Sequence, residues 1–350
     1  MKKNIIFVWH EIPNYAAYQL NYIIKKSTNN IFIITNRLVN NQIKKILKNN
    51  IYSLQNLKEK KKIQKIILDK KPQIIFSSGW GYKYIQSLIK FIKHNNNAKI
   101  VSMIDNNYKG TIRQRMGKYY FFYFLRDLFD FYWVPGKSTS KLLNFYGINK
   151  TKIFQNLYNI NQSIFNNRLK YNNRKNNIIF TGQCIERKNF TFIADFFSNY
   201  KYNKFIKKLI VITSTPKSKI KKKYLKSKRI KFYFNLGSRE VSEILNRNKF
   251  FILPSKEDHW PLALLEAISC GCICIISKSI GSIVDLKKNN NLLILNKNDD
   301  TSLAKTLQFI SKFSKKRINE LHKLNKNINF EYNLKNFYKT FKLILKNCAK

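Results

Sequence analysis

The chain has 350 residues, 67 of them Lys or Arg against 18 Asp or Glu, which gives a formal net charge of +49, and 44% of its residues are apolar. That length and apolar content suffice for two ordinary domains with full cores. No apolar run approaches 18 residues, so no membrane-spanning helix is expected. The charge itself has two readings: compositional bias that fills solvated faces, or attraction to anionic partners. The lysines are spread along the chain, densest over 58–71 and 217–231, and neither run carries a zinc-finger spacing or the aromatic signature of an RNA-binding module.

Residues 1–13 read MKKNIIFVWHEIP, a basic start and a short apolar run that stops at His10 and Glu11. A secretory signal is the rival reading, but the early stop fits a first strand over 4–9 better. A helix over 15–26 and a strand over 30–35 follow, then strands over 73–78 and 99–104 with a helix over 82–94 between them. Such βα alternation predicts a parallel sheet with helices on both faces. Asp105 stands at a strand end, where an Asx turn or a helix cap is the plain explanation. The stretch 110–128 mixes Arg113, Arg115, Lys118 and Arg126 with many aromatics. It reads either as a helix laid on a membrane surface or, preferred here, as a partly buried helix beneath a basic cleft. A strand over 131–135 and a helix over 138–145 close the first half.

The second half repeats the alternation. Strands are expected over 177–181, 208–213, 229–234, 250–253, 273–277 and 292–295. A basic helix follows the second of these, and a helix over 238–246 has Ser238 as its cap. Helices are expected over 301–313 and 333–345. Of the five cysteines, Cys270, Cys272 and Cys274 alternate across a helix end and a strand, poor geometry for zinc. Buried free thiols in a reducing cytoplasm are the reading for all five.

The most informative stretch is 254–271, PSKEDHWPLALLEAISCG. Pro254 and Ser255 end a strand, two acids and His259 form a loop, Pro261 opens a helix and Gly271 closes it. Glu266 sits inside that apolar helix, where a carboxylate costs several kcal/mol unless it is partnered. Its partner is either a Lys or Arg in a buried ion pair, or a ligand whose hydroxyls it binds. Asp258 lies seven intervening residues earlier, at the strand's carboxyl end, where open α/β sheets bind ligands.

This stretch resembles the donor-site signature of family 4 glycosyltransferases: an acid, seven residues, a second acid, then a helix and Gly. Asp258 stands where that family usually has Glu, and His259, Trp260 and Pro261 replace its Gly-Phe-Gly; Glu257 is the alternative first acid. Gly182 to Lys188 has the spacing of the family's Gly-Arg-x4-Lys loop, with Gln183 in place of Arg and Arg187 beside Lys188. The turn 280–285 resembles its Gly-Gly-x-x-Glu, with Gly281 and Ser282. The segment 152–161 resembles its interdomain crossover, and the loop 77–81 its acceptor cleft. The resemblance is good over 175–290 and in outline before that.

The resemblance implies a GT-B fold: two doubly wound Rossmann-like α/β domains facing across a cleft. Residues 1–160 would bind the acceptor, 161–328 the nucleotide-sugar donor, and 329–350 would form a helix packing back toward the first domain. It implies a retaining hexosyltransferase, bacterial-like, that moves a sugar to a glycan or lipid-linked acceptor, as in surface polysaccharide or glycolipid synthesis. Glu266 would hold the nucleotide ribose, Asp258 the transferred sugar, and Lys188 with Arg187 the diphosphate, with Gly281 and Ser282 beside the donor. Asp105 would stand near the reacting sugar. No metal and no cofactor are expected, the nucleotide-sugar being a substrate. The excess charge would serve anionic partners: lipid head groups, nucleotide-sugars or lipid-phosphate acceptors, with nucleic acid disfavoured. The expected location is cytoplasmic, peripheral at the inner membrane face. Two alternatives stay open: a basic polyanion- or nucleic-acid-binding protein, and a nucleotide-sugar isomerase on the same scaffold.

Overall fold

Runs of β-branched and aromatic residues pair into two all-parallel sheets. In the computed structural model, residues 2–37, 39, 41–53, 60–199, 205–286, 292–314, 316–321 and 331–349 are described. They divide into two units, Met1–Tyr158 with Leu334–Lys350, and Asn159–Asn333. The boundary expected at 328/329, and Lys58 and Glu59 at the head of the first basic run, lie outside the described residues.

The first sheet contains β1 (Asn4–Trp9), β2 (Asn30–Thr35), β3 (Ile51–Ser53), β4 (Ile74–Ser77), β5 (Lys99–Met103), β6 (Phe131–Trp133) and β7 (Ile153–Phe154). Its order is β3-β2-β1-β4-β5-β6-β7. The strand proposed from the N-terminal run is thus an inner strand of this sheet. Helices cover the sheet, and buried aromatics join the layers: Phe7 stacks on Phe76 at 4.6 Å, and Trp133 on Phe337 at 4.6 Å. Phe337 and Phe341 come from the last helix, Leu334–Asn347, which belongs to this unit and packs on the helix Asn14–Lys26; the Tyr338 hydroxyl donates to the Lys26 carbonyl at 2.8 Å.

The second sheet contains β8 (Lys175–Thr181), β9 (Leu209–Thr213), β10 (Ile230–Phe234), β11 (Asn248–Leu253), β12 (Ile273–Ser277) and β13 (Leu292–Leu295). Its order is β10-β9-β8-β11-β12-β13. All five residues of β12 are buried, as expected of a strand covered on both faces. Arg174 is buried without a carboxylate; its guanidinium donates to the carbonyls of Leu169 and Cys270 and to the Asn167 side chain, tying the entry to β8 to the end of the helix that carries Glu266. In both sheets the order reverses once, between β1 and β4 and between β8 and β11. A reversal of that kind opens a crevice at the strands' carboxyl ends.

The helix Ile112–Phe124 is partly buried, as expected: Phe121 packs inward while the other aromatics on it are exposed. Two expectations need correction. The 238–246 helix is capped at Gly237, whose N–H donates to Glu240 at 2.8 Å, not at Ser238. The basic segment after β9 forms only two short turns, Lys217–Lys219 and Lys222–Leu225, because Ile220 and Tyr224 alone give it buried anchors. Two helices unforeseen in the sequence, Asn41–Leu47 and Lys60–Lys70, bury few apolar side chains among many lysines. Among the described residues no helix is long and apolar enough to cross a membrane. All five cysteines are free thiols, and burial pushes Cys270 and Cys272 up to about 12.

Candidate active site

The reversal between β8 and β11 is where the candidate residues gather. After Thr181 the chain turns at Gly182, whose φ of +148° favours glycine. Its N–H donates to the Ile212 carbonyl at 3.0 Å, and the Cys184 N–H donates to Thr215 Oγ1 at 2.8 Å, so the turn is pinned to β9 and the loop after it. A single 3-10 turn, Glu186–Lys188, follows and ends at Asn189 in the left-handed region. This fixes Lys188, whose side chain is 15% exposed.

The loop after β11 docks onto that turn. The Lys256 N–H donates to the Arg187 carbonyl at 2.9 Å, and Arg187 Nη1 donates to the Glu257 carbonyl at 3.0 Å. Asp258 then makes one parallel bridge with Ile280: its N–H donates to Ser279 at 3.4 Å, and its carbonyl accepts from the Gly281 N–H at 2.9 Å. Loops following β8, β11 and β12 therefore meet, and Lys188 Nζ donates to Asp258 Oδ2. Arg187 Nη1 stands 3.9 Å from the other Asp258 oxygen. Asp258 is 7% exposed, so this is a nearly closed pair with a second cation at its rim. Of the two adjacent acids, Asp258 meets Lys188, while the Glu257 carboxylate lies 3.6 Å from His259.

Glu266 lies on the helix Leu262–Ser269, where Leu264, Leu265, Ala267 and Ile268 are fully buried. Glu266 itself is half-buried, and among the described residues no hydrogen bond or ion pair reaches its carboxylate. The buried ion-pair explanation has no partner here. Burial pushes its carboxyl up to about 7. On the segments that end β8 or follow β11 and β12, Thr181 Oγ1, Ser255 Oγ, Trp260 Nε1 and Ser282 Oγ are buried polar atoms without hydrogen-bond partners among the described residues. Buried polar atoms are normally satisfied, so these hydroxyls and the indole N–H are available to a ligand. Of the two turn residues expected beside a donor, Ser282 thus has an unused hydroxyl, whereas the Gly281 N–H is taken by Asp258. Among the described residues no three His, Cys, Asp or Glu side chains gather as metal ligands.

Asp105 belongs to the first unit, just after β5. Among the described residues it makes no local turn bond; the Tyr158 hydroxyl donates to its Oδ2 at 3.0 Å. The reversal between β1 and β4 in that unit carries groups that the sequence reading passed over. His10 follows β1, its Nδ1 lies 2.9 Å from the Tyr84 hydroxyl, and its ring stacks on Tyr82 at 4.0 Å. The Ser78 side chain accepts from the His10 N–H at 3.3 Å. Burial and Arg37 lower the His10 pKa from its ordinary value, Glu11 opposing them. The signal lay in the position of His10, one residue past the first strand.

Residues 161–329 match the family described as glycosyl transferases group 1. That match spans just under half of the chain and supports glycosyltransferase activity. Its fold is similar to that of a glycosyltransferase from Rickettsia africae (TM-score 0.77, 15% identity, covering 100% of this chain and 99% of that one). It is similar too to Anabaena Alr3699/HepE, crystallised with UDP and glucose (0.75, 10%, 99% and 100%). A third likeness is to sucrose-phosphate synthase from Thermosynechococcus elongatus (0.75, 11%, 99% and 99%). No curated protein sequence matches the chain. The two parallel α/β units form the GT-B architecture of these glycosyltransferases.

Proposed function

We propose that this glycosyltransferase is a retaining, family 4-type enzyme that moves a hexose from a nucleotide-sugar to a glycan or lipid-linked acceptor, without metal or cofactor. The observation that carries this reading is the Lys188–Asp258 pair with Arg187 at the sheet reversal, with Glu266 unpartnered among the described residues on the helix that follows. In the reaction the bond from sugar C1 to the diphosphate oxygen breaks and a bond from the acceptor oxygen to C1 forms. Negative charge grows on the leaving oxygen, where Lys188 and Arg187 would stabilise it. The acceptor proton passes to the leaving phosphate oxygen, and the new bond forms on the face the diphosphate leaves. Asp258 is occupied by Lys188 rather than open to an attacking water, which supports transfer over hydrolysis. Glu266 takes the ribose hydroxyls, and Asp258 those of the sugar. Ser282 supplies a further hydroxyl to the donor.

The Anabaena neighbour holds UDP and glucose, which makes a uridine diphosphate sugar the first donor to try. On this reading the first unit receives the acceptor, with Asp105 near the reacting carbon and the loop 77–81 beside it. The net charge of +49 supports work at an anionic membrane face, as in surface polysaccharide or glycolipid synthesis. Calorimetry across a panel of nucleotide-sugars, followed by NMR of the anomeric proton in the product, tests donor and stereochemistry together. Product formed with no acceptor present would replace transfer by isomerisation. Binding that ignores Glu266→Ala and collapses with salt would leave only a polyanion binder.

A further inference from the structure

The helix Ile112–Phe124 carries a surface that the donor chemistry does not use. Among the described residues fourteen large apolar side chains are exposed, and seven of them lie on this helix. Ile112 is 75% exposed, Met116 69%, Tyr119 67% and Tyr123 73%. These four recur at helical spacing and form one outward stripe. The opposite stripe, Gln114, Gly117, Phe121 and Leu125, faces the unit: Phe121 packs on Trp80 at 5.1 Å and Tyr146 at 5.2 Å, and a Cβ at Gly117 would meet the Tyr146 hydroxyl at 3.1 Å. Gln114 accepts from the N–H groups of Lys109 and Gly110 and donates to the Asn107 carbonyl at 2.6 Å, so the helix is firmly seated. The apolar stripe is therefore presented on a fixed support.

Its flanks are basic. Arg113 lies on one side, and Arg115 and Lys118 on the other; the helix contains no acid, and Asp127 comes only after it, next to Arg126. We propose that this helix docks the protein on an anionic lipid bilayer, lying in the interface with Ile112, Met116, Tyr119 and Tyr123 inserted and its Arg and Lys side chains among the head groups. Tyr and Phe beside Arg and Lys is the composition of a side chain belt at the boundary between hydrocarbon and water. A second copy of the chain would bring the same cations together at a net charge of +49 each, whereas an anionic surface neutralises them. The assignment takes its partner from the membrane part of the proposed function and is independent of the sugar chemistry.

The test is sedimentation of the full chain with vesicles of phosphatidylcholine alone or mixed with phosphatidylglycerol, at low and high salt. Two variants are compared with the wild type: Met116→Ser/Tyr119→Ser/Tyr123→Ser on the helix, and Lys217→Gln/Lys219→Gln/Lys221→Gln in the other unit. The expected result is binding of the wild type and of the lysine control to mixed vesicles, and a loss of about tenfold or more for the helix variant. Unchanged thermal melting confirms that the helix variant is folded. Equal binding by wild type and helix variant overturns the assignment while leaving the membrane reading in place, as does an equal loss in the lysine control. Failure of the wild type to bind mixed vesicles removes both. A wild type that is dimeric and a helix variant that is monomeric, neither binding vesicles, makes the stripe a self-association surface instead.

Discussion

Replacing Glu266 by Gln should stabilise the ligand-free protein while weakening its hold on the donor. The carboxyl is pushed from 4.5 to about 7 by burial. The folded state therefore binds this proton more tightly than the unfolded state, and stability falls as pH rises from about 4.5 to about 7 and stays lower above that. At about 1.4 kcal/mol per unit, a sealed carboxyl would cost about 3 kcal/mol at pH 8; partial exposure reduces that to about 1–2 kcal/mol. Gln cannot ionise and needs no partner at full charge. At pH 8 the variant should melt higher, by roughly 2–8 °C for a unit of this size, and at pH 5 the two proteins should melt together. Donor binding should move the other way. Charge-assisted hydrogen bonds to ribose hydroxyls are worth about 1.5–3 kcal/mol, so donor affinity should fall by roughly ten- to a hundredfold. In the wild type, donor affinity should rise with pH up to about 7 and then level, and the variant should lose that slope. Scanning calorimetry from pH 5 to 8 and titration with a nucleotide-sugar read both arms. A variant that is less stable at every pH would mean that Glu266 has a structural partner, and unchanged donor affinity would remove it from the site.

Lys188→Met removes the closest cation of the Asp258 carboxylate, and should cost about 3 kcal/mol in urea unfolding; adding Asp258→Asn should recover about 1–2 kcal/mol of it, and simple additivity would mean the pair does not join the two loops. In transfer assays Lys188→Met should lower kcat by about 10²–10³-fold with a smaller effect on donor affinity, and equal loss in both would move Lys188 from leaving-group stabilisation to plain binding. Asp105→Asn should cut turnover by about 10²-fold at unchanged donor affinity, whereas full turnover would confine Asp105 to its bond with Tyr158. Phe341→Ala removes a ring packed on Phe7 and Phe76 and should cost about 3–5 kcal/mol, read by the unfolding midpoint.

Most strands were legible because a sheet covered on both faces demands unbroken apolar runs, as in Ile5 to Val8 or Ile273 to Ile276, and such runs have few other uses. The loops that bring Lys188 and Asp258 together were legible by their residue types: a glycine where φ reaches +148°, a cation after it, and an acid at the next inner strand. The helix Lys60–Lys70 was missed because Ile63 and Ile67 are its few fully buried anchors among lysines that need no particular fold. The extent of exposure over 112–124 was not legible for a related reason. Aromatic residues predict burial only when something covers them, and sequence spacing places Tyr119 and Tyr123 on one face without saying what that face meets.

The site's charge arrangement has a consequence for how a donor would be taken up. In a chain with so many lysines, an exposed pair of cations at a sheet edge would attract any phosphate. Lys188 is instead tied to Asp258, and Arg187 is held at the rim by the Glu257 carbonyl. A bare phosphate could compete for Lys188 only by leaving Asp258, which is 7% exposed, without its closest cation, and that exchange returns little. A nucleotide-sugar offers more on the proposed reading, because sugar hydroxyls can donate to Asp258 while the diphosphate takes Lys188, and ribose hydroxyls can donate to Glu266. The pair thus discriminates by requiring that the ligand bring hydroxyl donors together with its negative charge. Inorganic phosphate and pyrophosphate should therefore bind far more weakly than a nucleotide-sugar at equal ionic strength, and Asp258→Asn should narrow the gap by freeing Lys188. Competition calorimetry decides it: pyrophosphate binding as tightly as the nucleotide-sugar in the wild type would mean that the Lys188–Asp258 pair is only a structural clasp between the two loops.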